Sequence, residues 1–345
     1  MAYTSGSHTS GSHTASAARA SEEFQTSAAD WPYFTATPLP DTVGALTVGT
    51  WSGNGGLYVS GGGTANSPSA SYQAAIDTLA AAVIPRDTNG ASDPSTGKIG
   101  LVLVGMSNVR LQAAELKRLA DLGGSGKGAH VVIANAGQNG KTTDIWDDTP
   151  DDACWAQADS VVSAAGLGVN QVQVLYDKLS SQSDTEGASA IASIVASAKT
   201  VIGKAIARWP QLRLVYLTSS SYRGWNTAGG AIPLGPSRGI RNSEPFRWQC
   251  AVAVRTVCAD RESGAWAPGG QSPAVLWAPY LWTRGGQPNA YDGWSLPAAY
   301  WDTDGVHPSN VDITSLNHAA VTKRGDTRTG QRMLTFFLTQ AWFLR

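Results

Sequence analysis

The chain has 345 residues, 42% of them hydrophobic, which suits one large domain with added segments rather than two full domains. A net charge of −1 and a charged fraction of 15% exclude a general electrostatic attraction to nucleic acid or to an anionic membrane surface. Cys154, Cys250 and Cys258 form no C-x-x-C or Cys/His cluster, so no metal site is expected. Cys250 and Cys258 fall on one expected helix about 12 Å apart, too far for a disulfide.

The N-terminus reads as an arm. TSGSH occurs in tandem at Thr4–His8 and Thr9–His13, and an Ala/Ser-rich tract follows. Such composition buries too little apolar surface to fold alone, and its two histidines are expected to be solvated. Residues 1–50 are therefore assigned to a low-complexity arm and residues 51–345 to the domain. No basic start followed by an apolar core marks a secretory leader, and no apolar run is expected to reach membrane-spanning length.

Beyond a stretch of irregular or short β structure at 31–70 the pattern alternates. Apolar runs expected to be strands are Ile99–Val104, His130–Ala134, Val172–Tyr176, Leu212–Leu217 and Ala274–Trp277. Helical segments are expected at about 71–83, 109–121, 151–165, 186–208 and 244–261, with an amphipathic closing helix at about 330–343. Alternation of this kind implies a parallel sheet covered by helices on both sides.

The run Ile99–Asn108, IGLVLVGMSN, organises this pattern. Five of its first six residues are β-branched or Leu, as in a strand buried on both faces. Gly105 ends the strand, and Ser107 follows at the strand-to-helix turn. This places a hydroxyl at the carboxyl edge of the sheet, where open α/β folds put their chemistry. Taken alone, Ser107 reads as a helix cap. Asp304-Gly-Val-His307-Pro-Ser supplies what a cap does not explain: an imidazole to take the Ser107 proton and a carboxylate to orient it. Asn135-Ala-Gly-Gln-Asn-Gly140-Lys, just after the second strand, adds a glycine whose N–H can approach a substrate carbonyl closely. Asp302 competes with Asp304 for the orienting role, but the spacing to His307 favours Asp304. His130 is expected to pack or cap, and His318 to be exposed.

Taken in order, G-M-S-N, N-A-G-Q-N-G-K-T and D-G-V-H-P-S resemble the SGNH (GDSL-like) hydrolase superfamily over roughly residues 55–345. Gly56–Tyr58, Leu217–Gly224, Glu244-Pro-Phe and Trp277–Trp282 are similar to an uncharacterised bacterial or phage-type subset of it. The resemblance implies a three-layer α/β/α, flavodoxin-like fold with about five parallel strands. It further implies Ser107 as nucleophile and first oxyanion donor, Gly140 as second donor, Asp304 and His307 as the other triad members, and no cofactor or metal. Two departures stand out. The acidic residue beside the serine is absent, and the G-x-N-D block expected after the third strand is replaced by VQVLYDKLSSQ. Lys178, just past that strand, is read either as the replacement for the missing asparagine donor or as a surface residue.

The function expected from these residues is hydrolysis of short acyl esters, O-acetyl groups on carbohydrate foremost. The substrate would be an acylated small molecule or polysaccharide, with no nucleic acid or membrane partner. Tryptophans 225, 277, 282, 294 and 301 are expected near the same sheet edge, as a wall for a sugar face or as packing. The alternative expectation is a structural or binding protein of a virion or particle surface that retains the fold with weak catalysis, its arm docked on other chains of an assembly. The location expected is such a surface, or otherwise the cytoplasm.

Overall fold

Five strands that carry no charge until the carboxyl end of one of them form the centre of the molecule. They are β3 (Ile99–Val104), β4 (Val131–Asn135), β5 (Val172–Lys178), β6 (Leu214–Thr218) and β7 (Ala274–Trp277). Asp177 and Lys178, at the end of β5, are the only Asp, Glu, His, Lys or Arg residues in these segments. The computed structural model describes residues 37–42, 44–48, 51–59, 65–148, 153–182, 187–221, 244–270, 272–283, 287–297, 300–302, 307–309 and 324–345. Within it the five strands are all parallel, in the order β4-β3-β5-β6-β7. Every residue of β3, β5, β6 and β7 is buried, as expected for a sheet covered on both faces.

The helices form two layers. Helices α1 (Ala70–Ala81), α2 (Ser107–Ala120) and α7 (Gly325–Phe337) cover one face, where Ile76, Leu116 and Phe337 pack against Leu101, Leu103 and Val174. Helices α3 (Thr143–Asp147), α4 (Ala153–Ala164), α5 (Ala188–Arg208) and α6 (Glu244–Ser263) cover the other, with Trp146, Trp155, Ile194 and Val254 against Val102, Val104 and Leu175. The expected three-layer α/β/α arrangement is thus present. Helix α5 is long and apolar enough to cross a membrane, the one such helix among the described residues. Its apolar side, including Ile194, Val201 and Ile202, is buried in the core.

Two tyrosines close the β7 edge. The Tyr72 hydroxyl donates to the Val275 carbonyl and accepts the Val275 N–H, both at 3.0 Å. The Tyr58 hydroxyl accepts the Trp277 N–H at 3.0 Å. Side chains thereby satisfy backbone groups that would otherwise invite another strand.

Several boundaries differ from the sequence expectation. Leu39 and Val48 pack in the core although composition groups residues 1–50 with the arm. Strand β1 (Ala45–Val48) pairs antiparallel with β2 (Trp51–Asn54), and Leu39, fully buried, donates its N–H to the Tyr280 hydroxyl. The TSGSH repeat lies outside the described residues. The closing helix runs from Gly325 to Phe337, and a separate 3-10 turn at Ala341–Leu344 follows. The break lets Trp342 and Phe343 both reach Phe337, at ring-centroid distances of 5.9 and 5.4 Å. Helix α3 is unanticipated; at five residues it is too short to show a helical period. The three cysteines are buried and form no disulfide.

Candidate active site

The strand order places a crevice at one point on the carboxyl edge. From β3 the chain moves outward to β4 and then returns to β5 on the other side of β3. The loop after β3 enters α2 on one face of the sheet, and the loop after β4 leads to α3 and α4 on the other. Ligands bind in open α/β sheets where neighbouring loops part in this way.

Ser107 stands at this point. Gly105 makes the turn with φ +131°, a conformation that favours glycine, and a Cβ there would lie 2.8 Å from Val109 Cγ2. Met106, extended, is the N-cap of α2 and makes no side-chain cap bond, so Ser107 is the first helical residue rather than the cap. As a first-turn residue its N–H has no intrahelical acceptor and sits at the positive end of the helix dipole. Its hydroxyl is directed at His307: Ser107 Oγ and His307 Nε2 are 2.7 Å apart across 200 residues of sequence. That separation is within reach for proton transfer to a general base.

His307 is held by the packing of α7. Trp301 and Pro308 form a β-bridge, and the Asp302 N–H donates to the His307 carbonyl at 2.9 Å. The Gly325 N–H donates to Ser309 Oγ, and the Asp326 N–H to the Ser309 carbonyl. The first turn of α7 is joined to α2 through Glu115, whose carboxylate accepts from Arg118, Arg324 and Thr327. Gly330 lets the two helices approach: a Cβ there would lie 2.7 Å from Glu115 Cβ and 2.9 Å from the Leu116 nitrogen. Asp304 lies outside the described residues.

Gly140 reaches the site through its loop. The Gln138 N–H donates to the Gly105 carbonyl at 2.8 Å, and Asn135 Nδ2 to the Arg110 carbonyl at 2.8 Å. Arg110 Nε donates to Asn139 Oδ1 at 2.9 Å. The 135–139 segment is thereby attached to the strand-to-helix turn that carries Ser107. Gly140 has φ +72° and is exposed, and its N–H donates to no group among the described residues.

Lys178 is placed differently from the expectation. It is the last residue of β5, paired with Thr218, and none of its surface is accessible. An oxyanion donor must touch substrate, and a wholly buried ammonium offers no surface to one. Next to it, burial raises the Asp177 carboxyl to about 7 despite a lowering hydrogen bond from the Lys178 N–H. The tryptophans also depart from the wall reading. Trp277, Trp282, Trp294 and Trp301 are at most 9% exposed and act as packing, while Trp225 and His318 lie outside the described residues. His130 immediately precedes β4, and its Nδ1 donates to the Gly97 carbonyl at 2.7 Å.

Sequence reading missed two residues beside Gly140. Gln182 Nε2 donates to the Gly140 carbonyl at 2.6 Å, and Asp144 accepts the Gln182 N–H at 2.8 Å. Neither belongs to a recognisable motif; both become visible only when the loops after β4 and β5 are brought side by side. Among the described residues, no group of three or more His, Cys, Asp or Glu gathers in a way that holds a metal. No family model matches this sequence, and no curated protein matches it.

Proposed function

We propose that this protein is a serine esterase of the SGNH type that hydrolyses short acyl esters, with O-acetyl groups on carbohydrate as the leading substrate class. The observation that carries the proposal is the 2.7 Å contact between Ser107 Oγ and His307 Nε2 at the crevice beside β3 and β5. In this reading Ser107 Oγ attacks the acyl carbon while His307 Nε2 accepts its proton. The negative charge that develops on the carbonyl oxygen meets the N–H groups of Ser107 and Gly140. The imidazolium then protonates the departing alcohol, and water activated by His307 releases the acid from the acyl-serine. Asp304 is assigned the orientation of His307 by the D-G-V-H-P-S motif. The carbohydrate part of the reading rests on the motif resemblance, because the four described tryptophans near the edge are consumed by packing.

The test is hydrolysis of p-nitrophenyl acetate, and acetate release from acetylated polysaccharides, by wild type and Ser107→Ala. Turnover in wild type that disappears in the variant supports the proposal. Equal turnover in the two overturns it and favours a binding or structural role for the fold.

A further inference from the structure

Gly140 poses a physical problem that its neighbours solve. An oxyanion donor is effective only when it is aimed before charge develops. Gly140 is exposed, and nothing lies within 4 Å of where its Cβ would be, so side-chain packing does not hold it. Its carbonyl, however, accepts from Gln182 Nε2 at 2.6 Å and from the Thr142 N–H at 3.2 Å. Gln182 is held in turn. Its N–H donates to Asp144 Oδ2 at 2.8 Å, and the neighbouring Ser181 hydroxyl donates to the same oxygen at 3.0 Å. The other Asp144 oxygen accepts the Thr142 hydroxyl. A second link is reciprocal: the Thr143 N–H donates to the Ser180 carbonyl, and the Ser180 N–H to Thr143 Oγ1, each at 3.0 Å.

We propose that Gln182, anchored by Asp144, is a positioning residue that aims the Gly140 N–H at the developing oxyanion. It thereby compensates for the missing asparagine by holding a donor instead of being one. The inference rests on the esterase reading. It assigns the LSSQ segment after β5 a role through Gly140 and gives Lys178 none.

The experiment compares wild type, Ser107→Ala, Gln182→Met and Gln182→Glu with p-nitrophenyl acetate at pH 8, measuring kcat, KM and Tm. Methionine keeps the length without the donor; glutamate keeps the shape but, ionised, presents only acceptors to the Gly140 carbonyl. For Gln182→Met the expected kcat is about 3- to 10-fold below wild type, the scale of one exposed hydrogen bond, with KM changed less than about 2-fold. The Tm is expected to stay within about 2 °C, since the side chain is exposed, and Gln182→Glu is expected to be at least as impaired. Unchanged kcat in both variants, with turnover still abolished by Ser107→Ala, overturns the positioning role and leaves the esterase reading standing. A loss that follows a falling Tm or a rising KM overturns it in favour of a merely structural or substrate-binding contact. Wild-type turnover equal to that of Ser107→Ala removes the esterase reading and the inference with it.

Discussion

The two sides of the crevice are positioned by different physics. On the Ser107–His307 side, secondary structure does the work: a buried strand, a glycine turn, a helix, and a second helix packed so closely that Gly330 is required. On the Gly140 side, exposed Gly140 and exposed Gln182 are joined by a side-chain hydrogen bond, and Asp144 holds Gln182 and Ser181 in turn. The first kind of positioning is stiff, because moving Ser107 or His307 means moving core elements. The second is softer at its tip, because water competes for the exposed bond between Gln182 and Gly140. Under the esterase proposal, change in the loop that carries Gly140 is expected to be tolerated better than change at Ser107 or His307.

The largest expected effect removes the stiff side directly. Ser107→Ala is expected to lower kcat by about 10⁴-fold or more with Tm nearly unchanged, as measured by ester hydrolysis beside thermal unfolding. Gly330→Ala addresses the same side through packing alone. The added methyl must push α7 from α2, so stability is expected to fall by about 1–3 kcal/mol in denaturant unfolding, and kcat to fall as His307 is displaced. A Gly330→Ala protein with wild-type stability and kcat would show that the helix pair yields, and the contrast between stiff and soft sides would collapse.

Asp177 lies beneath the crevice at the end of β5 and makes the core side sensitive to pH. The folded protein keeps its carboxyl protonated up to about 7, whereas in the unfolded chain it ionises near 3.8. Folding therefore takes up a proton in this interval, and this contribution to stability is lost as pH rises from about 4 through about 7. Between pH 5 and pH 8 the loss is on the order of 2–3 kcal/mol. Asp177→Asn is expected to remove that part of the pH dependence, which urea unfolding at the two pH values measures. An identical slope in wild type and variant would mean that the group is not held neutral.

Tyr72→Phe carries the smallest expected effect and probes the far edge of the sheet. It leaves the N–H and carbonyl of Val275 without their hydroxyl partner, which is expected to cost about 1–3 kcal/mol of stability while kcat stays within about 2-fold. A large loss of activity here would mean that the β7 edge is coupled to the crevice, against the local character of the two sides.

Sequence reading reached the stiff side far better than the soft one, for a physical reason. Strands buried on both faces must be written as unbroken apolar runs, so β3 and β7 could be read to the residue and the parallel sheet followed from their alternation with helices. Gly105 and Ser107 are legible because a turn with positive φ between a buried strand and a helix demands a glycine at that place. The pairing of Ser107 with His307 was legible only as two motifs 200 residues apart; the fold brings them to 2.7 Å. Of the two readings open for the tryptophans, burial left packing for the four described ones, and it took Lys178 away from the surface, since the same side chain serves as surface or as core depending on what packs over it. Gln182 and Asp144 left no trace at all, because a contact between a polar loop residue and the first turn of a five-residue helix imposes no periodicity on either segment. Local chemistry wrote the strands, the turn and the identity of the reactive groups into the chain. Only the β4-β3-β5-β6-β7 arrangement of strands decided which loops would meet, and therefore which ordinary glutamine would come to rest on Gly140.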